Sequence, residues 1–195
     1  TLLDTKTQKM LSLKNSLAVL RKTDALLEGH FVLSSGLHSP QYVQCAKLLS
    51  KPTQAKKFIS SLATKIKRNI KSFDIILSPA MGGVIIGYEI GRLLKKETIF
   101  CEGVDKKFKL RRGFNIKKKA KVLIVEDVIT TGKSSLECVR LIKKFGGKFV
   151  GIACLIDRSK KLKMSKKIIS QVKLDIPVYK RNKLPTSLKN IQITK

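Results

Sequence analysis

The sequence predicts an α/β protein with a parallel central sheet flanked by helices. The main observation is an alternation. From residue 53 onward, short apolar runs alternate with stretches whose apolar residues recur at helical spacing. The apolar runs, as in DIILSP and KVLIVED, are nearly continuous, which suits strands buried on both faces. Composition agrees: 195 residues, 43% apolar and 28% charged, describe one globular domain with a core large enough to need no covalent staples.

The elements follow in chain order. Residues 7–21 carry Met10, Leu11, Leu13, Leu17, Val19 and Leu20 at amphipathic spacing, a helix. Residues 23–51, broken by Gly29, Gly36 and Pro40, are expected to form short strands and turns. Residues 53–70 place Ala55, Phe58, Ile59, Leu62, Ile66 and Ile70 on one helical face. DIILSP at 74–79 is a buried strand ended by Pro79, and Gly82-Gly83 opens a helix through about Lys95. TIFC at 98–101 is a strand. Residues 103–119 are strongly basic without a clear period, a mobile loop or hairpin. KVLIVED at 121–127 is the clearest strand, Gly132 to Phe145 a helix, and 149–157 a strand. IPVY at 176–179 is expected to be a last short strand.

Several function classes are disfavoured. No uncharged apolar run is long enough to cross a bilayer, and the N-terminal stretch lacks the apolar core of a secretory signal. Cys45, Cys101, Cys138 and Cys154 are widely spaced with no CxxC pair, which argues for a reducing cytoplasm over a disulfide scaffold or structural zinc site. His30 and His38, eight apart, do not have metal-ligand spacing with Cys45 and are read as local hydrogen-bonding residues. The net charge is +29, from 34 lysines and 8 arginines against 13 acids. Nucleic-acid readers concentrate arginine where they recognise phosphates and bases. Here lysine is spread along the chain, so a solvated basic surface is preferred and nucleic acid is not the expected partner.

The most informative stretch is Val122 to Ser135. Four apolar residues run into Glu126 and Asp127, then a Thr-Thr-Gly turn, then a helix. Paired carboxylates at a buried strand end are costly unless hydrogen-bonded or paired. The turn supplies hydroxyls and free N–H groups at a helix N-terminus, a site for a phosphate. Acceptors for hydroxyls or a metal beside donors for a phosphate suit a sugar phosphate. A Walker A loop is excluded, since its first glycine would fall on Asp127.

VLIVEDVITTGKS resembles the phosphoribosyl-pyrophosphate signature of the type I phosphoribosyltransferases. The resemblance implies their fold: one domain over 1–195, with an N-terminal hood over about 1–50 and the α/β core over about 53–180. It implies that Glu126 and Asp127 hold the ribose hydroxyls and that Thr130, Thr131, Gly132, Lys133 and Ser134 hold the 5′-phosphate, with Val128 and Ile129 lying between. Within the family, Phe31-Val32-Leu33-Ser34-Ser35-Gly36-Leu37-His38-Ser39 is similar to the N-terminal segment of the orotate phosphoribosyltransferases. Ser78 to Gly83 is similar to their pyrophosphate loop, which brings in Met81 and Gly82. Leu155-Ile156-Asp157-Arg158 is similar to the strand end whose arginine meets the orotate carboxylate. Arginine grips a carboxylate with two parallel hydrogen bonds, as lysine does not. Ser34, Tyr42 and Thr130 complete the implied orotate site, Tyr42 by stacking or by edge packing.

The family's mobile loop carries an Arg-Lys pair and a further Lys that reach the neighbouring subunit's pyrophosphate. Here Gly103 and Val104 stand where the pair is expected. Lys107 falls on the further Lys and is the expected catalytic cation. Lys109 also lies at the pyrophosphate, and Lys106, Arg111 and Arg112 are substitutes. The resemblance implies a magnesium-dependent enzyme that joins orotate to phosphoribosyl pyrophosphate, with Mg²⁺ held mainly by that substrate and Asp127 contributing indirectly. It also implies a homodimer with shared sites. A purine phosphoribosyltransferase, and a nucleic-acid-binding regulator using the same pocket as a sensor, are the alternatives. A catalytically dead scaffold is a third.

Overall fold

The computed structural model describes residues 10–33, 35–105, 107–160, 162, 166 and 168–194. In chain order the elements are α1 (Leu13–Lys22), β1 (Leu26–Val32), β2 (His38–Val43), α2 (Cys45–Leu49), α3 (Pro52–Asn69), β3 (Ile75–Pro79), α4 (Gly82–Leu94), β4 (Glu97–Val104), β5 (Lys107–Leu110), β6 (Lys121–Ile129), α5 (Lys133–Lys144), β7 (Lys148–Asp157), β8 (Ile168–Lys173), α6 (Thr186–Lys189) and β9 (Ile193–Thr194).

Six strands form the main sheet in the order β5-β4-β3-β6-β7-β8. All neighbours are parallel except the β4–β5 hairpin. Alternate residues of the central strands feed two apolar clusters, one on each face. Ile76, Leu123, Val125, Ala153 and Leu155 pack with α1, α2, α3 and α4. Leu77, Val122, Ile124, Ile152 and Cys154 pack with α5 and the hairpin. The expected helix-covered parallel sheet is therefore present, and its continuous apolar runs reflect burial on both faces. Helix α4 comes close to the sheet where its glycines meet short side chains of β3 and β4. A β-carbon on Gly87 would stand 2.1 Å from Ser78 Oγ, and one on Gly91 would stand 2.0 Å from Thr98 Oγ1.

A second sheet, β2-β1-β9, forms the hood. β1 and β2 run antiparallel and β9 adds in parallel at His30 and Phe31. The hood thus draws its third strand from residues 193–194, far from the expected span of about 1–50. His30 and His38 are both buried and bond each other, Nε2 to Nδ1 at 2.7 Å, while His30 Nδ1 lies 3.0 Å from the Ile191 carbonyl.

Two expectations are corrected, and the basic stretch takes the hairpin form that was one of its two readings. The first helix begins at Leu13, where Ser12 Oγ accepts the N–H of Asn15 at 3.2 Å and caps it; residues 7–9 lie outside the described residues. The span 176–179 is not a strand: Tyr179 makes a single bridge to His38. Pro177 has no N–H to extend it. The last strand of the main sheet is instead β8, which had no assignment from sequence. The basic stretch 103–119 begins as the hairpin β4–β5, with Gly103 paired to Phe108 and Val104 to Lys107, and only then becomes turns.

Candidate functional site

The carboxyl end of β6 is the centre of the site. Glu126 and Asp127 follow one another and diverge. Glu126 is 5% exposed and accepts the hydroxyl of Ser135, which lies in the first turn of α5. Burial pushes its carboxyl up to about 7; the Ser135 hydroxyl opposes the rise and the neighbouring Asp127 adds to it. Asp127 faces α4 instead. A β-carbon on Gly82 would meet its carboxylate at 2.6–2.7 Å, so glycine is what lets the β3–α4 turn close on Asp127. Burial raises Asp127 as well, against the opposing N–H of Val128, which Oδ1 accepts at 2.8 Å.

The turn after β6 is open to a ligand. Thr130 and Thr131 are exposed, Gly132 takes a left-handed φ of 72°, and α5 begins with no side-chain cap on its N-terminus. Its first-turn donors are therefore available to an anion. Lys133 N–H reaches only Thr131 Oγ1, at 3.4 Å. Ser134 is half-buried beside it. Val128 packs on the core and Ile129 is 1% exposed, so both serve through their backbone. The Ile129 carbonyl accepts the N–H of Arg158 at 2.8 Å, which brings the end of β7 to the turn.

A cavity of about 850 Å³ opens there, lined by Tyr42, Thr130, Thr131, Arg158, Leu162 and Val178 among others. Arg158 is half-buried, its guanidinium is lowered by burial, and its Nε is shut off from solvent with no hydrogen-bond partner among the described residues. A planar acceptor would satisfy it. Tyr42 stacks on Phe31, ring centroids 5.6 Å apart, and lines the same cavity. Ser34 lies outside the described residues; Leu33 and Ser35 line the cavity. Met81 is 83% exposed at the start of α4, beside Gly82. Val128 through Ser134, Arg158 and Tyr42 thus meet at one end of the sheet, with Gly82 against Asp127.

The basic residues do not join them. Lys107 and Lys109 point outward from β5, the edge strand, three strand spacings or about 14 Å from β6. Lys109 pairs with Asp105 at 3.0 Å, and Arg112 pairs with Glu102 at 2.9 Å. Arg111 is exposed and Lys106 lies outside the described residues. Sequence reasoning missed Ser135, Lys160 and Leu162. Lys160 lines the cavity, and Leu162 covers Gly132, where a β-carbon would stand 2.4 Å from Leu162 Cδ2. Ser135, two places inside α5 on the face turned to β6, was findable as the partner a buried Glu126 requires.

Among the described residues no three His, Cys, Asp or Glu side chains come together as a metal cage. The donor set suits Mg²⁺ brought in on a phosphate-bearing ligand, because Asp127 offers one half-buried carboxylate beside an open turn and Mg²⁺ ordinarily keeps phosphate and water ligands. The four cysteines are free and buried. No helix among the described residues is long and apolar enough to cross a membrane.

A family model described as "Phosphoribosyl transferase domain" matches residues 46–188. An orotate phosphoribosyltransferase of Erythrobacter litoralis is 44% identical over 181 residues, 92% of this chain and 94% of that protein. One of Parvibaculum lavamentivorans is 47% identical over 169 residues, 86% and 87% of the two chains. Among solved structures, orotate phosphoribosyltransferase from Aeropyrum pernix superposes with a TM-score of 0.72 at 24% identity, covering 80% of this chain and 92% of that one. Adenine phosphoribosyltransferase from Thermoanaerobacter pseudethanolicus reaches 0.60 at 20% identity over 69% of this chain and 88% of its own. These two likenesses speak to the fold.

Proposed function

The chain belongs to the orotate phosphoribosyltransferases of the phosphoribosyl transferase domain family, and from that membership we propose that it transfers phosphoribosyl from phosphoribosyl pyrophosphate to orotate, a step of pyrimidine synthesis that yields orotidine 5′-monophosphate and pyrophosphate. One observation carries the choice of base: Arg158, whose Nε has no hydrogen-bond partner among the described residues, lines the same cavity as the phosphate turn.

In this reading the N–H groups and hydroxyls of Thr130 to Ser134 hold the 5′-phosphate. Asp127 and Glu126 accept the ribose hydroxyls, and the Met81-Gly82 turn receives the pyrophosphate. Arg158 grips the orotate carboxylate while Tyr42 flanks the ring, and Ser34 is assigned to the same base site from the family's pattern. The deprotonated ring nitrogen forms a bond to ribose C1 as the bond from C1 to the pyrophosphate oxygen breaks. The residues' contribution is to align these atoms and to hold the developing charges. Mg²⁺ brought in on phosphoribosyl pyrophosphate would supply charge neutralisation for the leaving group, and Asp127 is the side chain that would face it.

Lys107 supplies the cation for the departing pyrophosphate, with Lys109 beside it. Its place on an edge strand supports service to a second copy's site and hence a homodimer. An exposed apolar stripe on α4, Met81, Ile85 and Tyr88, supports the same pairing. Four free cysteines suit the cytoplasm. The test is the fall in orotate's near-ultraviolet absorbance on adding the protein, phosphoribosyl pyrophosphate and Mg²⁺. Turnover that needs all three supports the reading, and turnover with adenine instead of orotate would overturn it.

A further inference from the structure

Strand β5 is seated on α5 in two ways. Its inward residues Phe108 and Leu110 pack on the cluster that contains Cys138, Leu141 and Ile142 of α5. Its backbone is held by a carboxylate: Glu137 Oε1 accepts the N–H of Phe108 at 2.5 Å. Among the described residues this is the one hydrogen bond from β5 to a side chain outside the hairpin. Glu137 is also the single acid of α5, whose other charged residues are Lys133, Arg140, Lys143 and Lys144.

The bond joins the hairpin to the helix that begins at this chain's phosphate turn. Phe108 is the residue between Lys107 and Lys109, so fixing its N–H fixes the point from which both lysines project. Helix α5 begins at the phosphate turn, so the anchor is referred to the same rigid element that holds the 5′-phosphate. An edge strand has backbone donors without strand partners. A carboxylate on one of them is a charge-assisted bond, stronger than a neutral one. The apolar contacts of Phe108 and Leu110 alone would hold the strand against the helix without fixing its height along it.

We propose that Glu137 is a positioning residue that acts through Lys107, fixing the hairpin on α5 so that its cation is presented at a fixed place to the second copy's site. This rests on the reading of Lys107 as the catalytic cation. A positioning role predicts a loss in turnover, because the interaction is made only as pyrophosphate departs, with the KM for phosphoribosyl pyrophosphate little changed.

The test is steady-state kinetics of the full chain carrying Glu137→Ala, Glu137→Gln, Lys107→Ala, and Glu137→Ala with Lys107→Ala. Glu137→Ala should lower kcat by about ten- to a hundredfold. Glu137→Gln keeps an oxygen acceptor and should restore most of the rate. The double variant should be no slower than Lys107→Ala, since both remove one interaction. Should Glu137→Ala not fold, Glu137→Leu keeps the packing and removes only the acceptor, with the same expected result. Wild-type kcat in Glu137→Ala or Glu137→Leu, or losses that multiply in the double variant, would overturn the proposal. A silent Lys107→Ala sinks the reading of the hairpin itself, whereas a damaging Lys107→Ala beside a silent Glu137→Ala sinks only the role of Glu137.

Discussion

Asp127 occupies the space that a β-carbon on Gly82 would need, 2.6 Å from its Oδ2. The end of β6 and the start of α4 therefore meet through a carboxylate and a hydrogen atom. Gly82→Ala should push the carboxylate aside and lower kcat/KM for phosphoribosyl pyrophosphate by about tenfold or more. Position 82 is exposed at its outer side, so the melting temperature should fall little. Kinetics beside a thermal melt check both, and an alanine variant with native kcat/KM would refute the relationship's importance.

Arg158 should resist conservative replacement. Arg158→Ala and Arg158→Lys should both raise the KM for orotate by about ten- to a hundredfold, because a lysine does not reproduce the two-point grip on a carboxylate. The KM for phosphoribosyl pyrophosphate should barely move. Full recovery in Arg158→Lys would point to a simple point charge.

The pH profile of stability should carry the signature of Glu126. Its folded pKa of about 7 stands above a carboxyl's ordinary value of 4.5, so between those values the folded chain holds a proton that the unfolded chain has lost. Stability from this group is full below about pH 4.5 and is lost as pH rises to about 7, by on the order of 3 kcal/mol. Glu126→Gln, which is neutral throughout, should therefore gain stability relative to the parent as pH rises across that window. Parallel melting curves with pH in the two proteins would contradict it.

Shared sites make a complementation experiment possible. At orotate concentrations well below the KM of the Arg158 variant, Lys107→Ala and Arg158→Ala chains should each be nearly inactive alone. Unfolded together and refolded in equal amounts, they should regain about a quarter of wild-type activity, since half the dimers would carry one intact site. No recovery, with dimers formed, would place Lys107 at its own chain's site.

Chelation separates a substrate-borne metal from a resident one. EDTA should abolish turnover and leave the melting temperature of the ligand-free protein unchanged, in keeping with the lack of a metal cage among the described residues. A fall in melting temperature would reveal a metal held by the protein itself.

The strand-and-helix order of the core was legible in the sequence because strands buried on both faces are continuous apolar runs. VLIVEDVITT also announced the carboxylates and the phosphate turn. Three features were not legible, each for a physical reason. A hairpin was one of two readings of 103–119, but its strand bounds were not legible: Lys107-Phe108-Lys109-Leu110 alternates with a strict period of two, which the surrounding lysines hid. IPVY has the composition of a strand, yet Pro177 and the single bridge at Tyr179 leave it without a ladder, while IISQVK at 168–173 forms one at the sheet edge. The divergence of Glu126 and Asp127 depends on what each strand face meets, Ser135 on one side and Gly82 on the other, and adjacency in sequence says nothing of that.

The hood sheet ties together segments about as far apart as the chain permits: His30 reaches the Ile191 carbonyl across 161 positions, and β9 closes on β1. The phosphate turn, by contrast, is assembled from neighbours within a few tens of residues. During synthesis the catalytic floor can collapse while its roof is still incomplete, because the β9 strand and the Ile191 carbonyl that close on the β1–β2 hairpin come only near residue 190. A ribosome-stalled chain ending before residue 185 should therefore already protect β6 and α5 from proteolysis while leaving β1 and β2 open to cleavage.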